Sequence, residues 1–177
     1  ISQKTGDMVL GGLSTMNTLP SAVILGANNL TINVNSLITT RYDSSWNMVA
    51  GYSSFDGVIS GSGGVTFSKP YNSQTELGTA LTATQTYTGP TTVQSGVTLM
   101  LKDSGSIASS SNINLAGKLD IGAVTGSSVS ISTLSGSGQV YTNSPARSGS
   151  VLSWNGNTPY SFAAGAAKEL NITNADR

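Results

Sequence analysis

The 177-residue sequence contains no cysteine and no histidine. Without cysteine no disulfide can form, which suits a chain that must cross an oxidising compartment without forming bridges. Without histidine, a Ser-His-Asp triad and the commonest type of metal site are excluded within this sequence. The two absences remove the most familiar hydrolytic and zinc-dependent chemistries.

Charge is also scarce, since only 9% of the residues are charged, against roughly 25% in ordinary domains. Eight basic and eight acidic residues cancel. Nucleic-acid binding needs a basic footprint, and anionic membrane surfaces attract basic segments, so the composition argues against both partners. No apolar run approaches the roughly 20 residues of a membrane helix, and no signal peptide is present. We expect a piece of a longer protein, with any export signal outside it.

What the sequence does contain is short alternating runs of aliphatic and polar residues, bounded by Gly, Asn, Ser or Pro. This pattern is typical of β-strands, and helix periodicity is nearly absent. Only "GAAKEL" (165–170) has a helix-forming composition. The residues predicted to point inward from these strands are Leu30, Ile32, Val34, Val65, Phe67, Val97, Leu99, Leu101, Ile113, Leu115, Leu119, Ile121, Val129, Ile131, Tyr160, Phe162, Leu170 and Ile172.

Strands this short could build a sandwich or a solenoid, and internal repetition favours the solenoid. "VISGSGGVTF" (58–67) returns as "TLSGSGQVYT" (133–142), and "NLTINV", "NINL" and "LNIT" resemble one another more loosely. We expect stacked coils in which glycines form tight corners. The strands that contain Leu99, Ile113 or Leu115, and Ile131 are predicted to lie in neighbouring positions of a parallel coil.

One stretch resembles a known family. "ISGSGGV" (59–65), "LTATQTYTGPTTVQSGVTLML" (81–101) and "GSIASSSNINLAGKLDI" (105–121) resemble the passenger-associated repeat of autotransporter proteins, and "TYTGPTTV" is the most specific segment. The likeness spans about 59–143, whereas 1–57, 68–78 and 144–157 depart from the pattern. It implies an all-β, right-handed parallel β-helix with three short strands per coil.

The resemblance also implies a location and an organisation. Autotransporter passengers are secreted by Gram-negative bacteria through an outer-membrane barrel formed by their own C-terminus. We therefore expect a surface-exposed or secreted passenger segment, with membrane contact only through a C-terminal barrel that this sequence does not include. The prediction is one β-helix segment over 1–177, with less typical coils or loops in 1–57, repeat-like coils in 58–143 and further coil in 144–177.

Catalytic, cofactor-binding and metal-binding residues are not predicted, and we do not expect an enzyme. Enzymes on parallel β-helices use clustered carboxylates, or Ca²⁺ with a basic residue. The best acid pair here is Asp103 with Asp120, about one coil apart and each near a lysine. A ladder of opposite charges on the surface is the favoured interpretation of that pair. The segments "GSGG" (61–64) and "GSG" (136–138) lack the third glycine and the lysine of phosphate-binding loops.

A candidate contact surface lies where aromatic residues cluster around a charge, in "TTRYDSSWNMVAGYSSF" (39–55). Its residues are Arg41, Tyr42, Trp46 and Tyr52, residue types that are favoured in binding patches and suit stacking against sugars. Packing, with Trp46 and Met48 covering the end of a coil or filling a loop, is the favoured interpretation, and contact is the alternative.

Three functions remain open at this point. The favoured one is a structural stalk for adhesion or self-association, contacting a host surface receptor or glycan, or a like passenger on a neighbouring cell. A secreted polysaccharide-active enzyme and a released effector or toxin that binds a host receptor are the alternatives. No nucleic-acid partner and no cofactor are expected.

Overall fold

The computed structural model describes residues 6–11, 21–34, 39–42, 48–51, 53–70, 77–126, 128–141, 151–153 and 169–172. Throughout these segments the regular secondary structure is β-strand. The prediction of an all-β protein is confirmed.

Three sheets run side by side along the molecule. Sheet A contains, in spatial order, β1 (Met8–Leu10), β3 (Leu30–Asn33), β8 (Val65–Ser68), β11 (Thr91–Val93), β13 (Ile113–Leu115) and β16 (Leu134–Ser135). Sheet B contains β2 (Ala22–Ile24), β7 (Val58–Gly61) and β10 (Thr86–Tyr87). Sheet C contains β6 (Ser53–Phe55), β9 (Leu77–Leu81), β12 (Val97–Asp103), β14 (Lys118–Val124), β17 (Gln139–Tyr141) and β18 (Val151–Ser153).

The chain visits sheets B, A and C in turn and then repeats the circuit, as β7, β8, β9 and then β10, β11, β12 show. Every strand pair within the three sheets is parallel except the last pair of sheet C, in which β18 runs antiparallel to β17. Two smaller pairs complete the strands: β15 (Ser128–Ile131) is parallel to β19 (Glu169–Ile172), and β4 (Thr39–Tyr42) is antiparallel to β5 (Met48–Gly51). The protein is therefore a parallel β-helix, as predicted.

The length of a coil falls along the chain. Residues paired in sheet A are 35 apart from Leu30 to Val65, and 26 apart from Val65 to Thr91. The next pairings, from Thr91 to Ile113 and on to Leu134, are separated by 22 and 21 residues. The extra length in the two long coils lies between the sheet A strand and the sheet C strand. A basic coil of about 21 residues thus carries insertions at one corner.

The core consists of side chains that stack on their equivalents in the next coil. Ile32, Phe67 and Val93 are paired in register in sheet A, and each is at most 2% exposed. Leu99, Leu119 and Val140 form the corresponding row in sheet C. The predicted inward residues from Leu30 to Ile131 are all buried. Leu170 and Ile172 lie on β19, where only the backbone is described, and Tyr160 and Phe162 lie outside the described residues.

Glycines permit close backbone contact at the corners, as the sequence suggested. A Cβ atom placed on Gly63 would lie 1.8 Å from the Asn28 carbonyl oxygen, and one on Gly89 would lie 2.3 Å from the Gly63 carbonyl carbon. No larger residue fits there without moving backbone. The "GSGG" segment is a corner between sheets B and A, where the chain turns directly from one strand into the next and no helix follows.

The two similar segments, and the strands predicted to be neighbours, lie at different positions within the coil. The segments 58–67 and 133–142 occupy different corners, since the first joins β7 to β8 and the second joins β16 to β17. Leu99, Ile113 and Ile131 lie on β12, β13 and β15, which belong to three different sheets. The reason is that a strand, a tight corner and a second strand form a unit that fits any corner, so local similarity does not fix the position within a coil.

Candidate functional site

The predicted contact surface falls on an insertion in the second coil. Between β3 and β6 the chain leaves the solenoid and forms the antiparallel pair β4 and β5, which we call the corner hairpin (Thr39–Tyr42 with Met48–Gly51). Arg41 pairs with Val49 and Tyr42 with Met48. Trp46 and Tyr52 lie outside the described residues. The structure thus places two of the four candidate residues on one strand of a hairpin outside the coil sheets.

The second insertion begins at the same corner, one coil further on. In the coil formed by β7, β8 and β9, the chain continues from β8 through Lys69 and Pro70 and reaches sheet C only at Leu77. In the following coils the same corner is only two or three residues long, as between Val93 and Val97. Insertions in two adjacent coils therefore occur at one corner, which is the arrangement expected of loops that bind on a rigid scaffold.

The motif "TYTGPTTV" contributes Tyr87 and Thr91 to a buried chain of hydrogen-bonded hydroxyl groups, which ends at Ser110 and which we call the hydroxyl relay. The Tyr87 hydroxyl lies 2.6 Å from Thr91 Oγ1, and Thr91 Oγ1 donates to Ser110 Oγ over 2.9 Å. The Ser110 hydroxyl donates to the backbone carbonyl of Gly89 or of Asn112. Since the Thr91 and Ser110 protons are both engaged, Tyr87 must be the donor to Thr91. Every member is at most 1% exposed.

The environment of this relay indicates a structural role. Burial raises the pKa of Tyr87, and the hydrogen bond with Thr91 opposes some of that rise. The phenol therefore stays neutral, and no general base contacts the Thr91 or Ser110 hydroxyl among the described residues. The motif that carries the family resemblance is thus explained by packing: it joins sheets B and A through hydrogen bonds inside the coil.

A second buried polar group is Gln85, which is 1% exposed. Its Oε1 accepts the Ile59 amide proton over 2.7 Å, and its Nε2 donates to the carbonyl oxygens of Gly57 and Ala83. The side chain thereby satisfies backbone groups where the chain enters sheet B. This role is structural as well, because the amide is fully engaged.

The acid pair considered from the sequence does not form a ladder. Asp103 is in register with Val124, and Asp120 is in register with Met100. The pairing shifts between Met100 and Lys102, so the two carboxyls are not stacked. Asp103 is exposed and lies 4.0 Å from Lys102 Nζ, whereas Asp120 is 1% exposed. The interpretation of both acids as surface residues is therefore wrong for Asp120.

Asp120 is a buried carboxyl with one hydrogen-bond donor among the described residues. The Gly122 amide donates to its Oδ1 over 2.9 Å. Burial raises the pKa of this carboxyl, and the Gly122 hydrogen bond offsets some of that effect. No cluster of three acidic, histidine or cysteine side chains suited to a metal occurs in the portion of the chain that the structure describes. A lone buried acid of this kind does not form a hydrolytic site.

The sequence interpretation missed a column of polar residues on the outer face of sheet A. Thr31, Thr66 and Thr92 are paired in register in three successive strands. The column continues through Asn114 to Ser135. Each of the three threonines lies between two inward residues of its strand and is half-buried. Aligning "LTI", "VTF" and "TTV" by their inward residues would have revealed it.

No helix long and apolar enough to span a membrane is found in the described segments. Comparisons of the chain with protein-family models, with curated proteins and with solved structures find no match. The resemblance to autotransporter passengers stays a prediction.

Proposed function

We propose that this chain is a segment of an autotransporter passenger, exposed on or released from a Gram-negative cell, which serves as a structural stalk for adhesion or self-association. The parallel coils with an inserted corner hairpin are the single observation on which this proposal depends. A stack of coils is a rigid support, and binding residues are commonly placed on loops that such a support positions.

Two further observations support the proposal. The corner hairpin brings Arg41 and Tyr42 to a strand outside the coil sheets, in a segment whose sequence also contains Trp46 and Tyr52. The buried polar groups Tyr87, Thr91 and Gln85 are engaged in hydrogen bonds inside the coils. Their positions are consistent with a chain whose polar residues inside the coil build the scaffold, while contact with a partner takes place outside.

The experiment uses beads coated with the full 177-residue chain. Coated beads should attach to cultured epithelial cells, or to beads that carry the same chain, more than beads coated with an unrelated β-protein. Coated beads that neither attach to cells nor associate with one another would contradict the proposal.

A variant locates the contact. Tyr42→Ala combined with Trp46→Ala should reduce attachment by at least about tenfold, because truncating one aromatic anchor typically costs more than about 1 kcal/mol and about 1.4 kcal/mol corresponds to a factor of ten. The matched control is Thr86→Ala with Thr88→Ala, two exposed residues at sheet B. If both double variants attach as the unmodified chain does, the hairpin aromatics serve packing and not contact.

A further inference from the structure

We propose that the outer face of sheet A binds an uncharged oligosaccharide that lies along the solenoid axis, across the column formed by Thr31, Thr66, Thr92 and Asn114. This inference rests on the proposed adhesive function and names the class of ligand for one face of the stalk. The strands of the corner hairpin contribute no residue to this column.

The first argument is the hydrogen-bonding state of the column. Within the described segments of the chain, the hydroxyls of Thr31, Thr66 and Thr92 make no hydrogen bond. Asn114 accepts at Oδ1 from Ser135 Oγ over 2.6 Å and from Asn112 Nδ2 over 2.7 Å, and no described residue accepts from its Nδ2. A row of free hydroxyls and one free amide can both donate to and accept from the hydroxyls of a sugar.

The second argument is charge. None of the six strands of sheet A contains Lys, Arg, Asp or Glu. Along these strands a sialylated, sulfated or uronic ligand would find no counter-charge, since Lys69, the residue after β8, reaches towards Gly96 at the corner with sheet C. A charged peptide would lose hydration without compensation. The face is therefore complementary to a neutral, hydroxyl-rich ligand.

The third argument is geometry. Neighbouring strands of a sheet lie about 4.8 Å apart, so the column from Thr31 to Asn114 is about 14 Å long. This is the length of a short oligosaccharide. β8 and β11 each have a hydrogen-bonded strand on both sides, which fixes the backbones of Thr66 and Thr92. Threonine is also restricted at χ1, so little side-chain entropy is lost on binding.

The test measures binding of the 177-residue chain to neutral cello-, manno- and xylo-oligosaccharides by calorimetry, with oligogalacturonate and heparin fragments as acidic comparators. At least one neutral series should bind, with an affinity that is the same at low and high salt, because no ion pair contributes. Binding of acidic ligands only, or of none, would overturn the inference.

Variants assign the binding to this face. Replacing Thr31, Thr66 and Thr92 together by Val keeps side-chain shape and strand propensity but removes three hydroxyls, and should weaken neutral-sugar binding at least about tenfold. The Ser triple variant restores the hydroxyls and should bind more tightly than the Val triple variant. The control is Val at Thr86, Thr88 and Thr125, which are exposed and lie outside sheet A, and it should bind as the unmodified chain does.

Equal binding by the two Val triple variants would place the ligand elsewhere and overturn the inference. Thermal unfolding of every variant separates loss of binding from loss of fold. The bead experiment tests the adhesive function independently. If the beads attach while no neutral sugar binds, this inference fails and the proposed function stands.

Discussion

Sheets A and C can be compared by the solvent exposure of the side chains that point away from the coil. In both sheets alternate residues point away from the coil, because successive side chains in a strand point to opposite faces. In sheet A, Thr31, Thr66 and Thr92 are half-buried and uncharged, whereas Ser68 on the same face is 5% exposed. In sheet C, Ala80, Thr98 and Asp120 also alternate with inward residues and are at most 4% exposed, whereas Met100 and Lys118 on that face are half-buried. Alternation thus separates the two faces of a strand, but it does not determine which outward positions meet solvent.

The largest expected effect tests the assignment of inward and outward rows. Leu99→Asp places a charge in the inward row of sheet C, beside Thr79 and Leu119. We expect a loss of about 4 kcal/mol or more in unfolding free energy, because an unpaired charge is buried. Thr92→Asp, on the outer face of sheet A, should cost about 1 kcal/mol or less. Urea unfolding and limited proteolysis measure the difference. Equal losses of unfolding free energy in the two variants would show that Leu99 does not point into the core.

A second pair compares the two outer faces directly. Ala80→Asp, at 2% exposure in sheet C, should cost roughly 3 kcal/mol, since the new side chain is both too large and charged. Thr66→Asp in sheet A should cost about 1 kcal/mol or less. Thermal unfolding of the two variants at neutral pH provides the measurement. If the two variants were equally stable, the outward positions of Ala80 and Thr66 would not differ in burial.

The third prediction concerns the buried acid. The pKa of Asp120 is raised in the folded state by burial, so the folded chain binds this proton more tightly than the unfolded chain does. Stability should therefore fall as pH rises from about 3.9, the ordinary carboxyl value, through the raised folded pKa.

Asp120→Asn removes this contribution to the pH dependence and leaves that of the other acids. Urea unfolding at a series of pH values, for the unmodified chain and the variant, is the measurement. Asp103→Asn is the comparison variant, since its carboxyl is exposed. A slope that Asp120→Asn does not alter would show that its carboxyl is solvated.

The smallest effect is expected for the exposed ion pair on β12. Lys102 and Asp103 are 51% and 60% exposed at 4.0 Å. Lys102→Ala should change the unfolding free energy by less than about 0.5 kcal/mol, as is usual for surface pairs. A loss above about 1 kcal/mol in urea unfolding would mean that the lysine stem packs on sheet C.

The fold could be predicted largely from sequence because alternation and glycine corners are local signals. Leu30, Ile32 and Val34 reveal an inward row within five residues, and no distant partner is needed to recognise it. The register of the coils could not be predicted, because it depends on coil length, and the insertions after Asn33 and Ser68 change that length. The burial of Asp120 was also missed, since nothing in its strand distinguishes it from the exposed Asn114.

One part of the candidate site could likewise be predicted from the sequence, and another part could not. Arg41 and Tyr42 could be selected from residue type, because aromatic and arginine side chains are rare in this sequence and favoured in contacts. The threonine column could not be selected in this way, since threonine is common throughout the chain. The column is recognisable only from the pairing of residues up to 35 positions apart. That pairing depends on the register of the coils.

The short coil from Ile113 to Leu134 has a mechanical consequence. It contains 21 residues between paired positions, occupies about 4.8 Å of the solenoid axis, and has an extended contour length of about 70 Å. Tension along the axis pulls directly on the hydrogen bonds between coils, and these bonds break coil by coil. Each coil that yields lengthens the chain roughly fifteenfold over its own rise. A solenoid of this kind stretched between fixed ends would yield in steps, and the tension along the whole chain would fall each time a coil opens.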